Sequence, residues 1–101
     1  MTTINHGFHA TLTAQDGRGD ELVDFLLKAP SPPDDCVVFL VGRSASDPDT
    51  VYVTEGWTSR EAHERIVGTA EAQDTMARLQ ALLAQKPEYI DEVPIGGKAA
   101  I

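Results

Sequence analysis

The feature that most constrains this chain is the run Cys36–Val41, in which every residue is apolar. Successive side chains of a strand point to opposite faces, so this run presents apolar side chains on both faces of a sheet. Such a pattern is typical of a strand that is buried on two sides. Strict alternation predicts two sets of side chains on opposite faces: Cys36, Val38 and Leu40 on one, and Val37, Phe39 and Val41 on the other.

The neighbouring segments predict two further strands. Gly42–Asp49 is rich in turn-forming residues, and Val51–Trp57 follows with strand-forming side chains. Together with the apolar run, these segments predict an antiparallel hairpin. Near the start of the chain, His6–Ala14 alternates between apolar and polar residues, which indicates another strand.

The first helix is predicted after the glycine-rich turn Asp16–Gly19, where apolar residues recur at helical spacing. Pro30 should end this helix, because proline cannot continue one. The following segment, residues 30–35, contains further prolines and predicts a connecting loop.

The second helical region is predicted to begin at Thr58, because Thr58 and Glu61 have the spacing of a capping box. Gly68 interrupts it, and Thr69 can cap a longer second piece that extends to Lys86. A fourth strand is expected over residues 89–95. Since Pro94 cannot donate a ladder hydrogen bond, that strand should be bent or at an edge.

The predicted order of elements is βαββαβ, which is the ferredoxin-like α+β arrangement with its helices on one face of a four-stranded sheet. Helices on one face leave the other face of the apolar run Cys36–Val41 uncovered. A second copy of the same sheet is the simplest cover, so the sequence predicts a homodimer.

Length and composition narrow the function classes. The 101 residues suit a single domain spanning 1–101. Sixteen acidic residues against eight Lys and Arg give a net charge of −8, which disfavours nucleic acid and anionic membrane partners. With a lone Cys36 and no segment near the ~18 apolar residues of a membrane span, we expect a cytoplasmic protein.

The segment Thr54–His63 resembles a known family. Its Glu-x-Trp-x-Ser-x-x-Ala pattern is similar to the strand-to-helix junction of the antibiotic biosynthesis monooxygenase domain, a family of dimeric α/β barrels. The turn Asp16–Gly19 with the helix start after it, and the segment Pro94–Lys98, resemble the same family, the latter its quinol monooxygenase-like members.

The resemblance implies a homodimer with a pocket between the sheet and the helices of each subunit. It also implies a cofactor-independent monooxygenase that uses O₂ on a small planar phenol, quinol or polyketide-like aromatic substrate. Two alternatives stay open, because folds host many functions: a non-oxidative isomerase or cyclase, and a non-catalytic dimer that binds a small ligand. Haem degraders of the family carry polar or aromatic residues where this chain has Ala10, Ile66 and Thr75, so haem degradation is not expected.

His63 is the candidate catalytic residue, as a general base, because its ordinary pKa lies near neutral pH. A histidine at the rim of the helix, without a catalytic role, is the competing interpretation. The candidate substrate-binding residues are apolar or aromatic: Trp57, Tyr52, Ile66 and Phe25. For Trp57 and Tyr52, ordinary packing is the competing interpretation.

No cofactor and no metal are expected from the sequence. His6 and His9 are three apart on one strand, so they should point to opposite faces and cannot easily share a metal ion. The turn Gly17–Gly19 lacks the remaining glycine of a dinucleotide fingerprint.

Overall fold

The computed structural model describes residues 4–28 and 33–98. Part of the predicted loop, including Pro30, lies outside the described residues. The elements follow the predicted order, with the second helical region in two pieces: β1 (His6–Thr13), α1 (Gly19–Lys28), β2 (Cys36–Arg43), β3 (Thr50–Trp57), α2 (Arg60–Val67), α3 (Ala70–Gln80) and β4 (Glu88–Glu92).

The strands form one antiparallel sheet in the order β2-β3-β1-β4. This is the predicted α+β ferredoxin-like fold, with the hairpin β2–β3 at one edge and β4 at the other. In the described part of the chain, no helix is long and apolar enough to cross a membrane.

The hydrophobic core lies between the sheet and the helices. Leu12 and Val51, which pair across β1 and β3, and Leu22 of α1 are almost completely buried. We call the side of the sheet that packs against the helices the inner face. On β1 and β3 it carries every second residue, counted from Leu12 and Val51. The opposite side, which we call the open face, carries the residues in between.

The strand β2 differs from its prediction in its register. It is an edge strand, and within one chain Val37, Phe39 and Leu40 are 37–40% exposed. A β-bulge between Cys36 and Val38 shifts the register, so that Cys36 pairs with Trp57. The extra residue places Cys36 on the inner face with Phe39 and Val41, not with Val38 and Leu40.

The boundaries of the second helical region also differ from the prediction. Ser59, not Thr58, is the N-cap of α2, and its hydroxyl accepts from the Ala62 amide at 3.1 Å. Thr58 instead donates its hydroxyl to Asp35 at 2.6 Å, which joins the end of β3 to the start of β2. The break at Gly68 and the cap at Thr69 are present as predicted.

The helix α3 ends at Gln80, before the predicted Lys86. The chain leaves the helix to bond with the end of β1, where the Gln15 amide donates to Leu82 and the Ala84 amide to Thr13. Through these hydrogen bonds Leu83 forms an isolated antiparallel bridge with Ala14, and the consecutive residues Leu82 and Leu83 are both buried.

The start of α1 is held by a residue distant in sequence. The Asp49 carboxylate accepts from the amides of Gly17 at 3.0 Å and Gly19 at 2.9 Å. Gly17 has a positive φ of 79°, and a Cβ on Gly19 would lie 2.0 Å from the Pro48 carbonyl oxygen. Glycine is therefore required for this close approach of the two loops.

Candidate active site

The candidate site lies on the inner face, where β1 begins and β3 ends. Residues paired across antiparallel strands point to the same face, so His6 lies beside Trp57 and Phe8 beside Glu55. On the other side of Glu55 lies Phe39 of β2. The strands thus bring aromatic side chains together around one carboxylate.

An aromatic cluster covers this part of the sheet. The ring of His63, which comes from α2, lies 4.9 Å from the ring of Trp57, 5.2 Å from Phe8 and 5.3 Å from His6. Tyr89 of β4 meets Phe8 edge-on at 5.7 Å. We refer to the following residues as the aromatic cluster: His6, Phe8, Trp57, His63 and Tyr89.

The position of His63 follows from how α2 begins. Ser59 caps the helix and directs Ala62 into the core, where it is buried, and the next residue, His63, then lies over the sheet. Burial lowers the pKa of His63 below its ordinary value, and the neighbouring His6 lowers it further. An imidazole of this kind is uncharged at neutral pH and can accept a proton.

Glu55 is partly buried beneath the cluster. Its carboxylate accepts a hydrogen bond from the indole Nε1 of Trp57 at 2.8 Å. Burial raises the pKa of this carboxyl, and the indole hydrogen bond opposes the rise. Among the described residues, no ion pair includes Glu55.

Two protonated groups lie near this carboxylate. Burial raises the pKa of the Cys36 thiol to about 11, with a further contribution from the charge of Glu55. The pKa of the Tyr89 hydroxyl is raised for the same two reasons, again with burial first. At neutral pH both groups therefore stay protonated beside Glu55, and the Cys36 thiol donates to the Val38 carbonyl oxygen at 3.4 Å. Tyr89 is half exposed, so the site reaches the surface on the β4 side.

The structure brings some of the predicted site residues together and separates others. Trp57 and His63 are in contact, and Ile66 lies one turn further along α2. Tyr52 has the opposite parity, lies on the open face and is 46% exposed, so it does not reach the cluster of its own chain. Phe25 lines a separate surface groove between α1 and α3, together with Thr75 and Leu82.

The two other histidines confirm the expected separation. His6 belongs to the aromatic cluster, whereas His9 is on the open face, where its Nε2 lies 2.8 Å from Glu92 and its Nδ1 3.1 Å from the Thr54 hydroxyl. Within residues 4–28 and 33–98, no group of His, Cys, Asp or Glu is arranged to hold a metal ion.

Glu55 was not selected from the sequence as a site residue, although a signal for it exists. It shares parity with Val51, Val53 and Trp57, all of which are buried. A carboxylate among the positions of a strand that face the core is unusual, because charged side chains are rarely buried. Every second residue of a strand faces the same side, so counting back from Trp57 places Glu55 on the face of the site and Tyr52 on the opposite face.

Comparisons with known proteins agree with this fold. The model of the family described as antibiotic biosynthesis monooxygenase matches residues 6–78. A crystal structure from Chloroflexus aurantiacus, described as a candidate antibiotic biosynthesis monooxygenase, is 30% identical, with a TM-score of 0.81 over 93% of this chain and 96% of that one.

More distant structures share the fold. A Deinococcus radiodurans protein with the same description is 21% identical, with a TM-score of 0.75 over 95% of this chain and 97% of that one. A Nitrosomonas europaea protein of unknown function is 17% identical, with a TM-score of 0.79 over 100% and 99%. No curated protein matches the chain significantly. The family model spans most of the fold, including the strand-to-helix junction that carries Trp57 and His63, and the chain therefore belongs to the antibiotic biosynthesis monooxygenase family.

Proposed function

We propose that this protein is a cofactor-independent monooxygenase that acts on a small planar phenol, quinol or polyketide-like aromatic. The observation that carries the proposal is the position of His63, a neutral imidazole in contact with the flat Trp57 ring over the inner face of the sheet. Family membership and the similarity to the Chloroflexus structure support it.

The proposed reaction needs a base and O₂. The base removes the hydroxyl proton of the substrate, and the electron-rich anion passes one electron to O₂. The resulting radical and superoxide combine at carbon, and the peroxide loses water. For a phenol with a free ring position, the phenol and one O₂ give one quinone and one water, so that atoms and electrons balance.

The residues divide this work. His63 accepts the substrate proton, because its lowered pKa keeps the imidazole neutral at physiological pH. Trp57 provides a flat surface for a planar ring, and Ile66 adds apolar surface on the same helix as His63. The partly buried setting strengthens the attraction between protonated His63 and the substrate anion formed beside it, because water screens this attraction less.

The direct test is O₂ consumption by chelator-treated protein with anthrone and 1,4-dihydroxynaphthalene, corrected for spontaneous oxidation. We expect uptake that depends on enzyme and is lost in His63→Ala. The matched control is His9→Ala, which removes a histidine from the open face. Turnover that continues without O₂ would favour the isomerase or cyclase alternative, and binding without turnover would favour the ligand-binding alternative.

We also propose that the protein is a homodimer in which two open faces pack together. Within one chain, this face exposes apolar and aromatic side chains from three strands, and a second copy would remove them from water. The exposed residues that support this arrangement are Leu40, Tyr52 and Ile90.

A further inference from the structure

The position of Glu55 requires an explanation beyond stability. It lies on the inner face of a central strand, between Phe8 and Phe39, with the Trp57 indole as its hydrogen-bond donor. A carboxylate that is withdrawn from water without a cationic partner destabilises the folded state. A simple anchor for Trp57 would not need the charge, because the side-chain oxygen of glutamine also accepts from an indole.

The carboxylate has capacity for another donor. Two carboxylate oxygens offer about four lone-pair sites, of which the indole N–H occupies one. Its neighbours Cys36 and Tyr89 stay protonated in its presence. The inner face around Glu55 therefore combines aromatic surface with the negative charge of this carboxylate, to which Asp91 of β4 adds from the other side of Phe8.

We propose that Glu55 determines which ligands enter the site, by accepting a hydrogen bond from a hydroxyl group of an uncharged aromatic ligand and by excluding aromatic compounds that are already anionic in solution. The inference rests on the proposed function, because it specifies the ligand of the same site. A hydrogen bond from a hydroxyl to a carboxylate is stronger than a bond between neutral groups. An aromatic carboxylate would instead face like-charge repulsion in a partly buried setting.

The test is a calorimetric titration of the intact protein with three probes of the same ring size. They are 2-naphthol, which has a hydroxyl donor, 2-methoxynaphthalene, which lacks the donor, and 2-naphthoate, which is an anion. The wild type should bind 2-naphthol at least ~10-fold more tightly than 2-methoxynaphthalene, as expected for one charge-assisted hydrogen bond. It should bind 2-naphthoate most weakly.

The variant Glu55→Gln keeps an acceptor for Trp57 but removes the charge. We expect the preference for 2-naphthol to shrink to a few-fold at most, and the affinity for 2-naphthoate to rise. Glu71→Gln, an identical change at an exposed position on α3, should retain the wild-type preference. Emission of Trp57, the single tryptophan, should stay unchanged in Glu55→Gln if its environment is preserved.

Equal binding of 2-naphthol and 2-methoxynaphthalene by the wild type would overturn the inference. So would a 2-naphthol preference that persists in Glu55→Gln, or failure of all three probes to bind. The outcome is separable from the proposed reaction. A charge-dependent preference without O₂ consumption would leave the role of Glu55 standing and reject the oxygenase activity.

Discussion

His63 and Trp57 come from different elements, α2 and β3, and their rings lie 4.9 Å apart with planes inclined at 48°. The contact joins the helix to the sheet and at the same time places the candidate base beside the candidate binding surface. Replacing His63 should therefore mainly lower the rate of the reaction, and replacing Trp57 should mainly weaken ligand binding.

For His63→Ala we expect kcat to fall ~10²-fold or more, as for a lost general base, with a smaller change in KM. The pH dependence provides a second measurement. Since the pKa of His63 is lowered, wild-type activity should rise with pH through an apparent pKa below the ordinary value of 6.5. Steady-state rates across pH 4.5–8 would show this limb, and its persistence in His63→Ala would assign the base to another residue.

For Glu55→Gln we expect higher thermal stability at neutral pH than in the wild type. The folded-state pKa of Glu55 is raised above the unfolded value, so its contribution to stability is present at low pH and is lost as pH rises through the folded pKa. The amide has no such loss. Melting temperatures at pH 4 and pH 7.5 should show a difference that is larger at pH 7.5, and a variant less stable than wild type at pH 7.5 would contradict this.

For Asp49→Ala we expect a loss of about 1–2 kcal/mol in the free energy of unfolding, because the amides of Gly17 and Gly19 lose their shared acceptor at the start of α1. Urea denaturation is the measurement. Asp16→Ala removes an exposed carboxylate from the turn that contains Gly17, and it should change stability little. Equal stability of the two variants would show that the link from Asp49 is dispensable.

For Leu40→Asp we expect dissociation of the proposed homodimer, because a charge would be buried in the packed open faces. Sedimentation velocity at micromolar concentration should show a dimer for the wild type and a monomer for the variant. Gln85→Asp, at an exposed position outside the strands, is the control. A wild type of 10.9 kDa in solution would reject the proposal.

Much of the fold could be predicted because apolar periodicity and helix-breaking residues are local signals. The alternation in β1, the break at Gly68 and the cap at Thr69 are all present as expected. The bulge between Cys36 and Val38 could not be predicted, because an unbroken apolar run gives no sign of an extra residue. Consequently the two faces of β2 were assigned incorrectly at its start.

The errors at helix ends have a similar cause. Thr58 and Ser59 are adjacent and both are good caps, so the choice depends on Asp35, which is distant in sequence and binds the Thr58 hydroxyl. In the site, Trp57 and His63 were selected by residue type and lie together. Glu55 was missed because a charged residue in a strand suggests solvent, although the alternation of side chains along β3 puts it on the same face as Trp57, and the pairing of β3 between β1 and β2 bears this out.

The parity of β3 also limits how this gene can change in length. Val53, Glu55 and Trp57 point toward the helices, while Tyr52 and Thr54 point the other way. Deleting or inserting one codon within the strand would exchange the two sets and move the carboxylate from the site to the outer surface. Natural length variation among relatives should therefore be concentrated in residues 44–47 of the hairpin loop, ahead of the Pro48 and Asp49 contacts with the start of α1, and absent from β3, since a loop can absorb an extra residue that the strand cannot.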